Sequence, residues 1–231
     1  MMKLIRLEWK KNNILKYVRN AAVMTAVLAL LILPMAGELQ SEEVDDVFLH
    51  GMGIVGTMVK LFVEVVYIVF TAVMLASFIV SAYAKKTMHL MFSYPIRRRK
   101  ILLSQMAAVW IFNMAGMITS KLLIYGILLL SGPFLGISTA DLQFGSLSFW
   151  IDLLLRSAAM VSIAYVTLPV GLKMKSSKAT IVTAVILVCF THGNIGPVRL
   201  TDNILFFVIL FVLSAASVYL SVCNVETKDL I

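Results

Sequence analysis

Six apolar runs, separated by segments whose charge alternates in sign, constrain this chain more than any other feature. The runs cover about residues 20–36, 54–83, 105–131, 147–172, 176–191 and 203–222. Cationic residues are sorted among the segments between them. Residues 1–19 hold six Lys/Arg, residues 84–104 hold six, residues 173–178 hold three and the C-terminal tail holds one. Residues 37–53 and 131–147 hold none, but carry Glu38, Glu42, Glu43, Asp45, Asp46 and Asp141. Residues 192–202 hold one, Arg199. Short loops rich in Lys and Arg stay on the cytoplasmic side of a membrane. The alternation therefore predicts an all-α polytopic membrane protein with six transmembrane helices and both termini cytoplasmic. A chain of 231 residues that is 61% hydrophobic and 14% charged has more apolar surface than a soluble fold can hide. The net charge of +8 follows the loops. That argues for membrane topology and against nucleic acid as a partner. One transmembrane domain over residues 1–231 is expected, multi-pass in the plasma membrane of a bacterium.

The first segment reads as an amphipathic helix over residues 1–19. Met2, Ile5 and Trp9 share a stripe that Leu4, Leu7, Leu15 and Val18 widen, and six cations fill much of the rest. A basic amphipathic helix with a boundary Trp suits the membrane surface. Its basic region is too long for a cleaved signal peptide, and Pro34-Met35-Ala36 is a poor cleavage site. The fifth apolar run is short, and Thr191-His192-Gly193-Asn194-Ile195-Gly196-Pro197 follows it. A full fifth helix over residues 176–191 is expected, then a re-entrant piece over residues 192–202. Backbone at that depth must be buried in protein or wetted by a cavity.

Between the second and third runs, residues 85–105 carry Lys85, Lys86, Arg97, Arg98, Arg99 and Lys100 and no acid. A short apolar piece with Met88, Leu90, Met91 and Phe92 precedes Tyr94-Pro95. Proline disfavours helix at the residue before it, so a break near Tyr94 is expected. The order Ser93-Tyr94-Pro95-Ile96, a basic run, then Ile101-Leu102-Leu103-Ser104 resembles the cytoplasmic loop of type 2 ABC exporter permeases. The start, Leu4-Ile5-x-x-Glu8-x-Lys10-Lys11, the six apolar runs and the broken fifth-to-sixth connection extend the resemblance over most of the chain. The small size and short outer loops look most like permeases for antimicrobial-peptide export or bacteriocin immunity.

The resemblance implies a permease subunit paired with a second permease, a homodimer or a related chain, in membrane lipid. It implies a separate ABC ATPase subunit below, and export of an amphipathic substrate. ATP and magnesium would belong to that subunit, with no cofactor in this chain. It also implies that residues 84–104 form the coupling loop. Met88, Leu90, Met91, Phe92 and Tyr94 would dock on the ATPase, and Lys85, Lys86, Arg97, Arg98, Arg99 and Lys100 would meet its acidic residues.

Five ionisable residues fall inside apolar runs: Lys60, Glu64, Lys121, Asp152 and Arg156. Lys60 and Glu64 stand four apart, as do Asp152 and Arg156, so each pair shares a helix face. Counted from the cytoplasmic ends at ~1.5 Å per residue, Lys121 and Arg156 lie about 24 Å in, and Glu64 and Asp152 about 30 Å. All five are expected in the outer leaflet. A charge near the membrane centre costs ~2.5–3.5 kcal/mol on insertion scales. Each pair can neutralise itself locally and position its helix, or the set can line a translocation route. Lys121 has no carboxylate four residues away on its own helix, so Glu64 or Asp152 on a neighbour is its expected partner.

Other chemistry finds no support. The sequence has no Gly-x-x-x-x-Gly-Lys-Ser/Thr loop and no His-Glu-x-x-His pair. Glu42-Glu43 lacks the Arg that membrane CAAX-type proteases place four residues on; Val47 stands there. Gly51, Gly53 and Gly56 have dinucleotide-fingerprint spacing, but no strand precedes them. His50, His89 and His192 are scattered, and Cys189 and Cys223 lie in apolar runs without metal-ligand spacing. A scaffold or membrane enzyme without an ATPase, or a secondary transporter, is the alternative. Secondary transporters usually show internal repeats and mid-membrane acids, and neither is evident here.

Overall fold

The computed structural model describes residues 2–39, 53–84, 98–135, 146–192 and 204–227. Among these residues all regular structure is helical, and there is no strand. The helices are α1 Met2–Lys11, α2 Ile14–Leu39, α3 Gly53–Leu75, α4 Ser81–Ala84, α5 Arg98–Leu135, α6 Leu147–Ile163, α7 Thr167–Met174, α8 Ser177–His192 and α9 Ile204–Thr227. A π-turn, Ala76–Val80, joins α3 to α4, and a 3₁₀ turn, Ala164–Val166, joins α6 to α7. Four stretches are long and apolar enough to cross a membrane: Ile14–Gly37, Val55–Val80, Arg99–Gly132 and Leu147–Met174. Ser177–His192 and Val208–Val222 are shorter apolar helices.

The chain divides into two compact units. The first gathers Met1–Ile14, Val65–Met114 and Ala158–Ile231; the second gathers Leu15–Glu64 and Ala115–Ser157. Helices α3, α5 and α6 contribute residues to both, and α2 gives the first unit only its first residue, Ile14.

The helix expected over residues 1–19 is two helices. Asn13 takes φ 50, and its N–H reaches back only to the Lys10 carbonyl at 3.4 Å. Asparagine tolerates the left-handed region better than other side chains because its short polar group bonds locally. Asn12 donates its amide to the Glu8 carbonyl at 3.1 Å and ends α1. Leu15 and Val18 therefore belong to α2, where both are exposed. Trp9, expected as a boundary anchor, donates its indole N–H to the Ala108 carbonyl of α5 at 3.1 Å. Residues 98–104, expected as the end of a loop, are the first two turns of α5, a helix of 38 residues. Leu102, Ser104 and Gln105 are buried there, so tertiary packing extends the helix past the apolar run.

Within the first unit the 3₁₀ turn has an identifiable cause. Pro169 has no N–H to give the Tyr165 carbonyl four residues back. Ser217 of α9 supplies the missing donor, its hydroxyl lying 2.8 Å from that oxygen. The Tyr165 phenol in turn donates to the Met106 carbonyl at 2.7 Å. In the π-turn, Ser81 N–H bonds the Ala76 carbonyl, and Ser177 of α8 approaches the same oxygen at 3.5 Å. Trp110 adds an indole bond to Ser162 at 3.1 Å.

Helices α7 and α8 form a tight hairpin. Lys175 takes φ 48, its N–H bonds Leu172, and Ser176 N–H bonds Gly171. That is the paired C-terminal closure of a Schellman turn. Gly171 faces Thr180, and a methyl group there would overlap the Thr180 hydroxyl and press on Val80. Only glycine permits this approach. The basic segment at 173–178 is thus a two-residue connection, and the fifth apolar run is one helix of 16 residues.

The apolar side chains divide between core and surface. Val59, Tyr67, Ile68, Leu75, Phe78, Ile79, Leu102, Ala108 and Val109 are at most 2% exposed. Leu30, Leu130, Phe190, Phe211 and Val212 are all more than half exposed. Leucine and valine on the outside of a helix cost little in hydrocarbon, where no hydrophobic force pulls them inward.

Candidate functional site

The second unit holds the charged residues that the sequence places inside apolar runs. They arrive on three helices: Lys60 and Glu64 on α3, Lys121 on α5, Asp152 and Arg156 on α6. Helical spacing puts Lys60 and Glu64 on one face of α3, yet they do not form the observed pair. Lys121 donates to Glu64 at 2.9 Å, and the two side chains are only 2% and 3% exposed. Lys60 instead reaches Asp152 Oδ2 at 2.6 Å. Asp152 Oδ1 accepts from Arg156 Nε at 2.7 Å, as the spacing of four predicts. Of the two expected partners of Lys121, the structure selects Glu64. Local neutralisation fails on α3 because pairing Glu64 with Lys60 would leave Lys121, only 2% exposed, without its carboxylate.

This arrangement joins α3 to α5 and α3 to α6 within the unit. One pair is sealed, and the other set is half open. Side chains of Lys60, Arg156 and Asp152 are 16%, 21% and 34% exposed. They line a small recess with Lys121, Tyr125, Phe149 and Leu153. It has room for about one water molecule. Tyr125 and Phe149 meet edge to face, ring centroids 5.8 Å apart at 61°. Phe149 contacts Trp150 in the same way at 5.8 Å and 88°. Ser146 caps α6, its hydroxyl accepting the Phe149 N–H at 3.3 Å, which fixes the turn that carries Phe149 and then Asp152. Nearby in the same unit, Thr25 of α2 and Ser120 of α5 share a hydroxyl–hydroxyl bond of 2.6 Å, beside Lys121 in sequence.

No family model matches the chain, and no solved structure matches it. It is similar to the uncharacterized protein YcbO of Bacillus subtilis (strain 168). The two are 24% identical over 242 residues, covering 99% of this chain and 100% of that protein.

The other group of expected site residues lies mostly outside the described residues: Lys85, Lys86, Met88, Leu90, Met91, Phe92, Tyr94 and Arg97. Arg98, Arg99 and Lys100 fall in the first turn of α5, where Arg99 and Lys100 are exposed. That turn contains no acid. Cations at a helix N-terminus oppose the helix dipole, each at a cost of ~0.3–1 kcal/mol. A negatively charged neighbour would offset it.

Sequence reasoning missed the polar fastening of the first unit. Glu8 is 8% exposed and Gln105 fully buried; the Gln105 amide donates to Glu8 at 3.3 Å. Glu8 also accepts from Asn12 at 3.4 Å, with Lys11 at 3.8 Å. Asn113, fully buried, donates to the Val109 carbonyl at 2.9 Å and touches Met74 sulfur at 3.3 Å. The available signal was a glutamate and two amides within otherwise apolar or basic stretches. Among the described residues, no group of three His, Cys, Asp or Glu could hold a metal ion.

Proposed function

We propose that this chain is the permease subunit of an ABC exporter. A separate ATPase subunit would bind residues 84–104, and a second permease would complete the transmembrane pathway. The observation that carries this reading is that segment's composition: six cations, no acid, an apolar piece before a proline, and a basic last stretch forming the first turn of α5. The dipole of α5 repels its own first-turn cations, so an acidic docking partner gains affinity from relieving them. Six apolar helices supply the membrane part, and the charge sorting of the loops supports the six-span, both-ends-inside topology. The substrate is proposed to be amphipathic, an antimicrobial peptide or a lipid-like molecule.

Copurification tests it. The chain, solubilised in mild detergent from its own host, should bring down a soluble protein carrying a phosphate-binding loop. Charge reversal at Arg97, Arg98 and Arg99 should abolish that association while the chain still inserts. A complex that survives the reversal intact removes the docking assignment. Labelling of a Ser93→Cys thiol from outside intact cells would remove the topology as well.

A further inference from the structure

Two hydrogen bonds fix the register of α5 against the helices that follow it in the first unit. The Tyr165 phenol reaches the Met106 carbonyl. The Trp110 indole, one turn further along α5, reaches Ser162, three residues before Tyr165. The two stretches therefore run antiparallel. From Met106, Arg99 stands seven residues back, about 10 Å; from Tyr165, Lys173 stands eight residues on, about 12 Å. The first turn of α5 and the tip of the α7–α8 hairpin thus end at one level, on helices whose axes lie roughly 8–10 Å apart when packed.

Both ends are basic. Residues 84–104 and 173–178 contain no acid. Arg99, Lys100, Lys173, Lys175 and Lys178 are exposed, and Met174 beside the lysines is 63% exposed. The Debye length is ~10 Å at 0.1 M salt, so two basic ends at this spacing still feel one another. An acidic surface laid across both gains from each. The tip is also rigid: Gly171 meets Thr180 too closely for any side chain, and Ser176 N–H closes on the Gly171 carbonyl. Lys175 holds the left-handed position, φ 48 and ψ 34, where glycine is usual. The turn itself gives no reason for a lysine there.

We infer that the α7–α8 tip is a second docking element for the ATPase, adjoining the first turn of α5. Its lysines take acidic side chains of that subunit, and Met174 supplies an apolar contact among them. The inference rests on the exporter reading and extends its interface from residues 84–104 to residues 173–178.

The test uses the complex of the full chain with the phosphate-loop protein that copurifies with it. Zero-length carbodiimide coupling should join Lys173, Lys175 or Lys178 to carboxylates of that protein, read by mass spectrometry of the cross-linked peptides. Lys175→Gly keeps the turn and removes the charge. That variant should unfold no earlier than the parent, while the complex weakens roughly two- to fivefold, the effect of one exposed ion pair, and by less at high salt. Lys173→Glu, Lys175→Glu and Lys178→Glu together should weaken it roughly tenfold or more, because like charges then meet. A complex unchanged in both variants, or lysines coupled only within their own chain, overturns the second contact and leaves docking through residues 84–104 standing. An intact complex with lost preference for phosphatidylglycerol over phosphatidylcholine bilayers in the triple variant overturns it too, and assigns the lysines to lipid headgroups. If no phosphate-loop protein copurifies with the parent chain, the exporter reading and this inference fall together.

Discussion

The two units solve the same problem in different ways. Each must satisfy polar groups among apolar helices. Apart from Glu8, the first unit does so mainly with neutral donors directed at backbone carbonyls: Ser217 at Tyr165, Tyr165 at Met106, Trp9 at Ala108. The second unit uses charges, with Lys121 on Glu64 and both Lys60 and Arg156 on Asp152. Neutral bonds repair local breaks such as the one at Pro169, and their loss costs little. Charges repair nothing in the backbone. Two buried ions are often no more stabilising than two well-packed apolar side chains of similar volume, so a pair like Lys121–Glu64 is not explained by stability alone. The contrast teaches where to look for function in such a bundle.

The contrast can be broken by measuring both kinds of contact in one preparation, as unfolding of the full chain in detergent. The largest effect is expected for Glu64→Leu, which leaves Lys121 buried without its carboxylate: a loss of ~3–5 kcal/mol. Adding Lys121→Leu should recover most of it. A Glu64→Leu variant as stable as the parent would mean that Lys121 finds water or another partner, and the sealed pair would lose its meaning.

A middle effect sharpens the picture of the first unit. Gly171→Ala places a methyl against the Thr180 hydroxyl, and overpacking of this kind costs ~1–3 kcal/mol. Thr180→Ser keeps that hydroxyl and should give no relief unless it rotates away, whereas Thr180→Gly should restore stability in the double variant. Absence of any loss in Gly171→Ala would show that α7 and α8 can part freely.

The smallest effect is expected for Ser217→Ala, about 0.6 kcal/mol, the average for hydrogen bonds between membrane helices, whose largest measured value is ~1.7 kcal/mol. The cause is specific. With Pro169→Ala the chain recovers an N–H for the Tyr165 carbonyl, so Ser217→Ala should then cost less. Equal costs in the two backgrounds would sever the link between the proline and the serine. If Ser217→Ala proved as damaging as Glu64→Leu, the distinction between neutral and charged contacts would collapse.

Much of the helical layout was legible in the residues. Apolar runs, proline positions and the spacing of Asp152 and Arg156 read directly onto α2, α3, α5, α6, α8 and α9. The division of the N-terminal segment at Asn13 was not legible, because the left-handed residue gains its place from contacts of α1 with Ala108 and Gln105. The start of α5 at Arg98 was hidden for a similar reason: three cations oppose a helix N-terminus, and burial of Leu102 and Gln105 overrides them.

Composition and loop charge, by themselves, determined that this chain is a set of apolar helices, and they identified the five ionisable residues that do not belong in such surroundings. Hydrophobic length and charge act along the chain, so they can be read from it. Only the tertiary structure decided that Glu64 turns from its own helix to Lys121 and that Asp152 serves two cations. The choice between a neighbour four residues away and one on another helix depends on distances of about 3 Å in space, and sequence order does not carry them.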